Sequence, residues 1–253
     1  MIKGFYAAVS AMLTNSNRQQ LLSHNVSNLD TPGFKQILSS YQDFQHTLVN
    51  EPSGSLLAAR AANPIGVLGL GTQMGPETVD FAQGPLQMTN NTFDFAIQGD
   101  GFFQVQTPDG ERFTRDGRFL RDAEGNLVTF QGYAVLSDSG QPIRLEEGEV
   151  SVSDEGLVLV AGEEAATLGI FHFEDAAEDL ERTEGNLFTA RTQPDGEAGG
   201  KVAQGYLEMS NANPTQIMAQ LVEVARSYEA AQQMVQNQDE LLGKTIATLG
   251  RIG

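Results

Sequence analysis

The chain has 253 residues, of which 40% are hydrophobic and none is cysteine, and a formal charge of −18. That length holds one large domain or two modest ones with ample core, and the missing cysteine excludes disulfides, thiolate catalysis and cysteine metal sites. No apolar run approaches the ~20 residues that cross a bilayer, and an acidic chain repels nucleic acid and anionic lipid, so neither nucleic-acid binding nor membrane insertion is predicted.

In chain order, residues 2–29 read as a helix about 42 Å long. Its apolar stripe is Ile2, Phe5, Val9, Met12, Leu13, Leu22, Val26 and Leu29. Asn15, Asn17, Gln19, Gln20 and Asn25 flank that stripe. Amides so placed suit either a solvated face or hydrogen bonds to neighbouring helices. Ser10, Thr14, Asn15 and Asn17 interrupt what would be the apolar stretch of a secretory signal, so any export is expected to proceed without signal cleavage. The helix should stop before Asp30-Thr31-Pro32-Gly33, because proline disfavours the helical state of the residue before it.

Residues 36–75 are rich in glycine and proline. A loop this long in a compact domain is usually functional or disordered, and it reads as an extended connector that orders mainly in an assembly. Tyr41, Phe44 and Leu48 mark one short helical or extended segment within it. Residues 76–209 alternate short β-rich runs with turn signals such as Pro108-Asp-Gly, Asp116-Gly and Asp154-Glu-Gly. Turn residues about every ten positions argue for a mainly antiparallel β domain. Gly99-Asp100-Gly101 predicts a tight bend, and residues 175–184 a short acidic helix. The whole negative balance of the chain lies in 75–213, while both ends are nearly neutral. A solvated surface is the plain reading of that acidity.

Asn213 and Pro214 form a helix-start signal, after which a helix of about 36 residues, roughly 54 Å, runs toward the end of the chain. One row holds Leu221, Tyr228, Val235, Leu242 and Leu249, and its companion holds Ile217, Val224, Ala231, Gln238 and Thr245. A spacing of seven with a second stripe offset by three or four describes one adhesive seam. With seams at both ends, the chain must pair them with each other or with further copies of itself.

No catalytic constellation appears. His24, His46 and His172 lie in three different segments without ligand spacing. Gly243-Lys244-Thr245 lacks the upstream glycine of a phosphate loop, since Gln238 stands there, and it sits inside a helix. The Asp116–Asp122 segment lacks the ligand alternation of a calcium loop. No cofactor and no metal are predicted, and a structural or binding role is favoured over an enzyme.

Several segments together resemble the bacterial flagellar basal-body rod and hook family. Asn25-Val-Ser-Asn28-Leu-Asp-Thr31-Pro-Gly33-Phe34-Lys35 is similar to the signature that closes that family's first helix, with His24 departing where a second asparagine is usual. Asp94-Phe-Ala-Ile-Gln-Gly99-Asp-Gly101-Phe102-Phe103, Phe113-Thr-Arg115-Asp-Gly117, Gly185-Asn-Leu-Phe188, Gln204-Gly205-Tyr206-Leu-Glu208-Met-Ser210-Asn211-Ala-Asn213 and Arg226-Ser-Tyr228-Glu229 follow in the family's order. The connector is most similar to that of the distal rod subunit, with a proximal rod or hook-like subunit of the same family as the alternative.

The resemblance implies an α+β fold with three parts. Long N- and C-terminal helices pair as a coiled coil (1–35 with 210–253). An extended connector follows (36–75). A mainly antiparallel β domain (76–209) is inserted and faces outward. It also implies a hollow helical drive shaft of identical subunits, located in the periplasmic rod and exported by the flagellar type III apparatus. The partners implied are further copies, the other axial proteins of rod and hook, and surrounding bushing rings. An acidic outer surface would then serve as a nonadhesive bearing. The expected assembly interface comprises Ile2, Phe5, Val9, Met12, Leu13, Asn25, Asn28, Thr31, Gly33 and Phe34 at one end, and Ile217, Leu221, Val224, Tyr228, Val235, Leu242 and Leu249 at the other. Two other classes stay open at this point. One is a secreted binding module whose helices only oligomerise it. The other is a cell-wall hydrolase, for which no convincing carboxylate pair is present.

Overall fold

A computed structural model describes residues 2–43, 46–50, 64–69, 71–183, 185–194, 196–197 and 200–249. The chain divides into two compact units. One comprises 1–24, 37–78 and 214–253, and the other 25–36 and 79–213.

The first unit holds α1 (Ile2–Ser27, whose last turn belongs to the other unit) and α3 (Pro214–Leu249). It also holds four strands in the segment read as a connector. Ile37–Asp43 pairs with Thr72–Val79, and His46–Asn50 pairs antiparallel with Pro64–Gly69 through an irregularity between Val49 and Asn50. Pro64 opens its strand and Pro76 sits in a two-stranded pair, positions where a missing N–H does least harm to a ladder. The short segment expected around Tyr41 and Leu48 is therefore extended, while Phe44 lies outside the described residues.

Between α1 and α3 in sequence, and in the second unit, comes α2 (Ala176–Asp179), a single turn capped by the Asp175 carboxylate. The acidic helix expected over 175–184 stops there. Residues Leu180–Arg182 go instead to a strand that pairs with Leu187–Ala190 and buries Leu180.

The second unit is built on a nine-stranded sheet. Its order runs Leu180–Arg182, Leu187–Ala190, Gly110–Thr114, Phe102–Thr107, Ala134–Val135, Leu127–Thr129, Phe119–Arg121. Ile170–His172 also pairs with Phe102–Thr107, and Gly196–Glu197 with Ile170–His172. A three-stranded meander (Val150–Val152, Leu157–Val160, Glu163–Thr167) and two antiparallel pairs complete it: Phe95–Gln98 with Lys201–Gln204, and Leu86–Met88 with Tyr206–Glu208. Among the described residues its strand pairs are antiparallel, as the turn spacing predicts.

Strand Phe102–Thr107 separates two cores. Side chains alternate faces along a strand. Phe103 and Val105 enter the larger core with Phe95, Ile97, Phe119 and Leu127. Phe102 points the other way, into an aromatic cluster with Phe113, Phe173, Leu180 and Phe188. There Phe102 meets Phe81, Phe173 and Phe188 edge-on at centroid distances of 5.6, 6.0 and 5.9 Å, the arrangement ring quadrupoles prefer. Gly99 (φ +96°) and Gly101 (φ +137°) make the predicted bend into this strand in backbone conformations that only glycine adopts without strain.

Candidate assembly interface

Along α3 the buried positions are Ile217, Val224 and Ala231, at 0, 2 and 8% exposure. Leu221, Tyr228 and Val235 are half-buried, and Leu242 is exposed. The row with the smaller residues is thus the deep one, and the row with the larger residues flanks it. The side chain of Leu249 lies outside the described residues, as does that of Ile2.

On α1, Val9 and Met12 are half-buried, Phe5 is 38% exposed and Leu13 63%. Ala8, Leu21 and Leu22 are the buried apolar positions. Polar residues share the burial. The Thr14 hydroxyl donates to the Thr72 carbonyl at 3.0 Å, the Thr72 N–H donates to the Ser10 hydroxyl at 3.2 Å, and Tyr41 donates its hydroxyl proton to Asn15 Oδ1 at 3.1 Å. The Arg18 guanidinium lies 4.6 Å from the Tyr41 ring centroid. Residues 10, 14, 15 and 18 fall on one helix face, so the polar residues that interrupt the apolar stripe hold the strands of the connector segment. Asn17, Gln19 and Gln20 face solvent. The solvated reading thus holds for these three amides, while Asn15 bonds a residue of a strand and not a neighbouring helix.

Residues 25–36 are packed into the β-rich unit. Asn25 is fully buried, and the Asn28 Oδ1 accepts the Thr31 hydroxyl at 3.3 Å. Gly33 turns with φ +69°, and a Cβ there would run into the backbone of Arg115 and Asp116. Phe34 is 1% exposed beneath the Arg182 guanidinium, 5.1 Å from its ring centroid.

The next residue, Lys35, enters a buried charge cluster that the sequence does not announce. Its ammonium donates to Glu208 Oε1 at 2.6 Å and to the Ala82 carbonyl at 2.8 Å. Glu208 also accepts the Gly84 N–H at Oε1 (2.9 Å) and Arg115 at Oε2 (3.2 Å). The Arg115 guanidinium donates to the Gly99 carbonyl at 2.9 Å and stacks 5.0 Å from the Phe102 ring centroid, while its Nε has no hydrogen-bond partner. Burial pushes Lys35 and Arg115 below their ordinary values, against the pull of Glu208 on each. Desolvation thus outweighs attraction for both cations, as expected where two cations share one carboxylate.

Beside the cluster, Asn211 joins three stretches of chain. Its side-chain oxygen accepts the Gln36 N–H at 2.8 Å, and its amide donates to the Asp80 carbonyl (2.8 Å) and the Ala82 carbonyl (3.0 Å). The Gly33 N–H donates to the Glu208 carbonyl at 2.7 Å, and the Asp80 N–H to the Gln36 carbonyl at 2.9 Å.

Among the described residues, no helix is long and apolar enough to cross a membrane. No group of three or more His, Asp or Glu side chains there is arranged to hold a metal ion. The apolar side chains left exposed on the helical unit include Phe5, Tyr6 and Leu13 on α1 and Met218, Val222, Met234, Leu241 and Ile246 on α3.

Comparison with known proteins gives three family matches along the chain. Residues 5–35 match a family described as flagella basal body rod protein, residues 96–160 the D1 domain of the flagellar hook protein FlgE/F/G, and residues 203–248 the C-terminal part of the flagellar basal body rod FlgEFG proteins. The flagellar basal-body rod protein FlgG of Borreliella burgdorferi is 33% identical over 96% of this chain and 97% of its own. The rod protein FlgF of Caulobacter vibrioides is 31% identical over the full length of both. The flagellar hook-basal body complex protein FlhO of Bacillus subtilis is 29% identical, again over both full lengths.

Proposed function

Because the chain belongs to the flagellar basal-body rod and hook family, we propose that its two terminal helices form the polymerising wall of a hollow shaft and that its place is in the distal rod. It is a structural subunit of the basal-body rod, not an enzyme. In this reading α1 and α3 pair antiparallel as a coiled coil. Two observations support the pairing. The buried positions of α3 recur every seven residues, and Gly4 lies against Gln238, where a Cβ would fall 2.7 Å from the amide nitrogen. The bore is the export channel, the acidic β-rich unit faces outward toward bushing rings, and the subunit itself arrives through the flagellar type III apparatus.

The observation that carries the polymer is the set of apolar side chains exposed on the helical unit. An isolated helix pair with Leu13, Met234, Leu241 and Ile246 more than half exposed has surface to bury only against further subunits. Identical heterologous contacts that do not close on themselves build an open helix. Val235→Asp and Leu242→Asp should each abolish rods in basal bodies isolated from cells, while the β-rich unit stays folded. Rods of normal length from either variant would overturn this assignment of the seam.

The distal position draws on the glycine- and proline-containing connector with its paired strands. The alternative is a proximal place, since the relatives are named only as basal-body rod proteins. Tomography of cells lacking the chain decides between them. A basal body that keeps an inner rod stub supports the distal place, and one with no rod beyond its base supports the proximal place.

A further inference from the structure

The described residues include six of the chain's seven methionines, and none of the six is fully buried. Met12, Met74 and Met209 are half-buried. Met88, Met218 and Met234 are 57, 58 and 55% exposed. Methionine is among the side chains most often found in cores, so this distribution is unusual. The chain has neither cysteine nor tryptophan, which leaves the methionine thioethers as its most readily oxidised groups. Two of the three exposed ones lie on α3, outside its buried row Ile217, Val224 and Ala231. Met218 has Val222, 52% exposed, one turn further on, and Met234 has Leu241, 55% exposed, two turns further on. Counted at 3.6 residues per turn, the two methionines stand roughly 160° apart around the helix, so each belongs to its own apolar patch. Met88 instead ends a short strand of the β-rich unit, Leu86–Met88.

A hydroperoxide converts an exposed thioether to a sulfoxide. The O–O bond breaks, an S–O bond forms, sulfur gives up two electrons to the peroxide, and hydrogen peroxide leaves as water. The chain neither gains nor loses a proton. The product turns a flexible apolar side chain into a polar one. On an exposed helix face the new oxygen stays hydrated and the free subunit keeps its fold. On a face that has to be buried it sheds water with no donor to replace it, which is unfavourable.

We propose that Met218 and Met234 are oxidation sites that control assembly. As thioethers they let the outer faces of α3 be buried in the polymer, and as sulfoxides, formed by hydroperoxides before the subunit is incorporated, they prevent it. The inference rests on the reading that the exposed apolar side chains of the helical unit are buried on polymerisation. Incorporation then shields both sulfurs, and reduction of the sulfoxides in the free chain restores its competence. Met88, on the other unit, takes up oxygen without consequence for assembly.

Hydrogen peroxide applied to the purified full chain, with the sulfoxides mapped by peptide mass spectrometry, tests the sites. Met88, Met218 and Met234 should take up oxygen before Met12, Met74 and Met209, and equal rates at all six overturn the assignment. In isolated basal bodies Met218 and Met234 should be protected, and reaction there at the free-chain rate overturns the shielding. Met218→Gln combined with Met234→Gln places a polar side chain of similar length at both positions. Rods in basal bodies from those cells should fall about tenfold or more, while circular dichroism of the purified variant stays unchanged. Met88→Gln should leave the rod count as it was. Met218→Leu combined with Met234→Leu should build rods at the normal number, and should go on doing so in sublethal peroxide that lowers the count for the unaltered chain. Normal rods from the glutamine pair overturn the control by oxidation and leave the polymer reading standing. So does a leucine pair as sensitive to peroxide as the unaltered chain. A loss of helix in the glutamine pair assigns the methionines to the fold of the subunit and also overturns the proposal. Absence of the unaltered chain from isolated rods overturns the polymer reading, and the proposal with it.

Discussion

Removing the Glu208 carboxylate tests the buried cluster most directly. In Glu208→Gln, Lys35 and Arg115, at 2 and 4% exposure, keep their positive charges with no buried counter-charge. Breaking a buried ion pair by deleting one partner costs about 3–5 kcal/mol, because the partner's desolvation remains. Lys35→Met removes the cation excess and leaves Arg115 and Glu208 as a one-to-one pair. Its main loss is the hydrogen bond to the Ala82 carbonyl, on the order of 1–2 kcal/mol. The order of the two effects follows from the count of charges and is the sharper forecast. In a unit of about 150 residues each kcal/mol moves the midpoint by roughly 2–4 °C, so Glu208→Gln should lower it by about 6–20 °C. Calorimetry of the full chain, with the β signal in circular dichroism identifying the transition, reads both variants. If Glu208→Gln costs less than about 1 kcal/mol, or if Lys35→Met costs more than Glu208→Gln, the electrostatic account of the cluster is wrong.

Gly33→Ala meets both a positive φ and backbone where its methyl would lie, and should destabilise the β-rich unit by more than about 1 kcal/mol in denaturant titration. Phe102→Ala opens the aromatic cluster and should cost about 3–5 kcal/mol in the same titration. Ile246→Asp, at a side chain 69% exposed, should leave the unfolding midpoint unchanged yet remove rods from isolated basal bodies. Val224→Asp, at a side chain 2% exposed, should lower helix content in circular dichroism as well. The Asp122 carboxyl is held below its ordinary value, chiefly by the Asn126 side-chain amide and then by backbone N–H groups. Its folded value is depressed, so its contribution is complete above the unfolded value of about 3.9 and is lost as pH falls through the folded value. Asp122→Asn should accordingly flatten the acid limb of the stability–pH curve and leave the neutral region's slope unchanged.

The long helices were legible because their period is written in the chain. Which row of α3 goes deepest was not. Size ranks Leu221 and Tyr228 above Val224 and Ala231, but close packing selects small side chains where backbones approach. The β-rich unit was legible from its turns, although strands such as Glu163–Thr167 and Lys201–Gln204 carry too little apolar alternation to stand out. Leu180–Arg182 read as helix because acidic residues surround it, and its pairing with Leu187–Ala190 overrides that local preference. The segment 25–36 was recognisable as a motif, yet its packing was hidden. Lys35 finds its carboxylate 173 residues away, and no local pattern encodes that separation. A lysine directly after a buried aromatic was the one available hint. Ser10, Thr14 and Asn15 looked like defects in an apolar stripe, because their hydrogen-bond partners Thr72 and Tyr41 lie in a segment read only as an extended connector.

The chain passes between its two compact units four times, after residues 24, 36, 78 and 213. Asn211 binds the Gln36 N–H and the Asp80 carbonyl, and itself sits two residues before the last of these passages. One amide thus clamps three of the four crossings within a few residues of where they leave the β-rich unit. This fixes how load on the three segments is divided. A pull on one of these three segments cannot be taken up by it while the others stand slack, because the bonds at Asn211 are shared. Yield strength at such a junction grows with the number of bonds sharing the strain. A single asparagine therefore governs how the β-rich unit holds the chain segments that leave it.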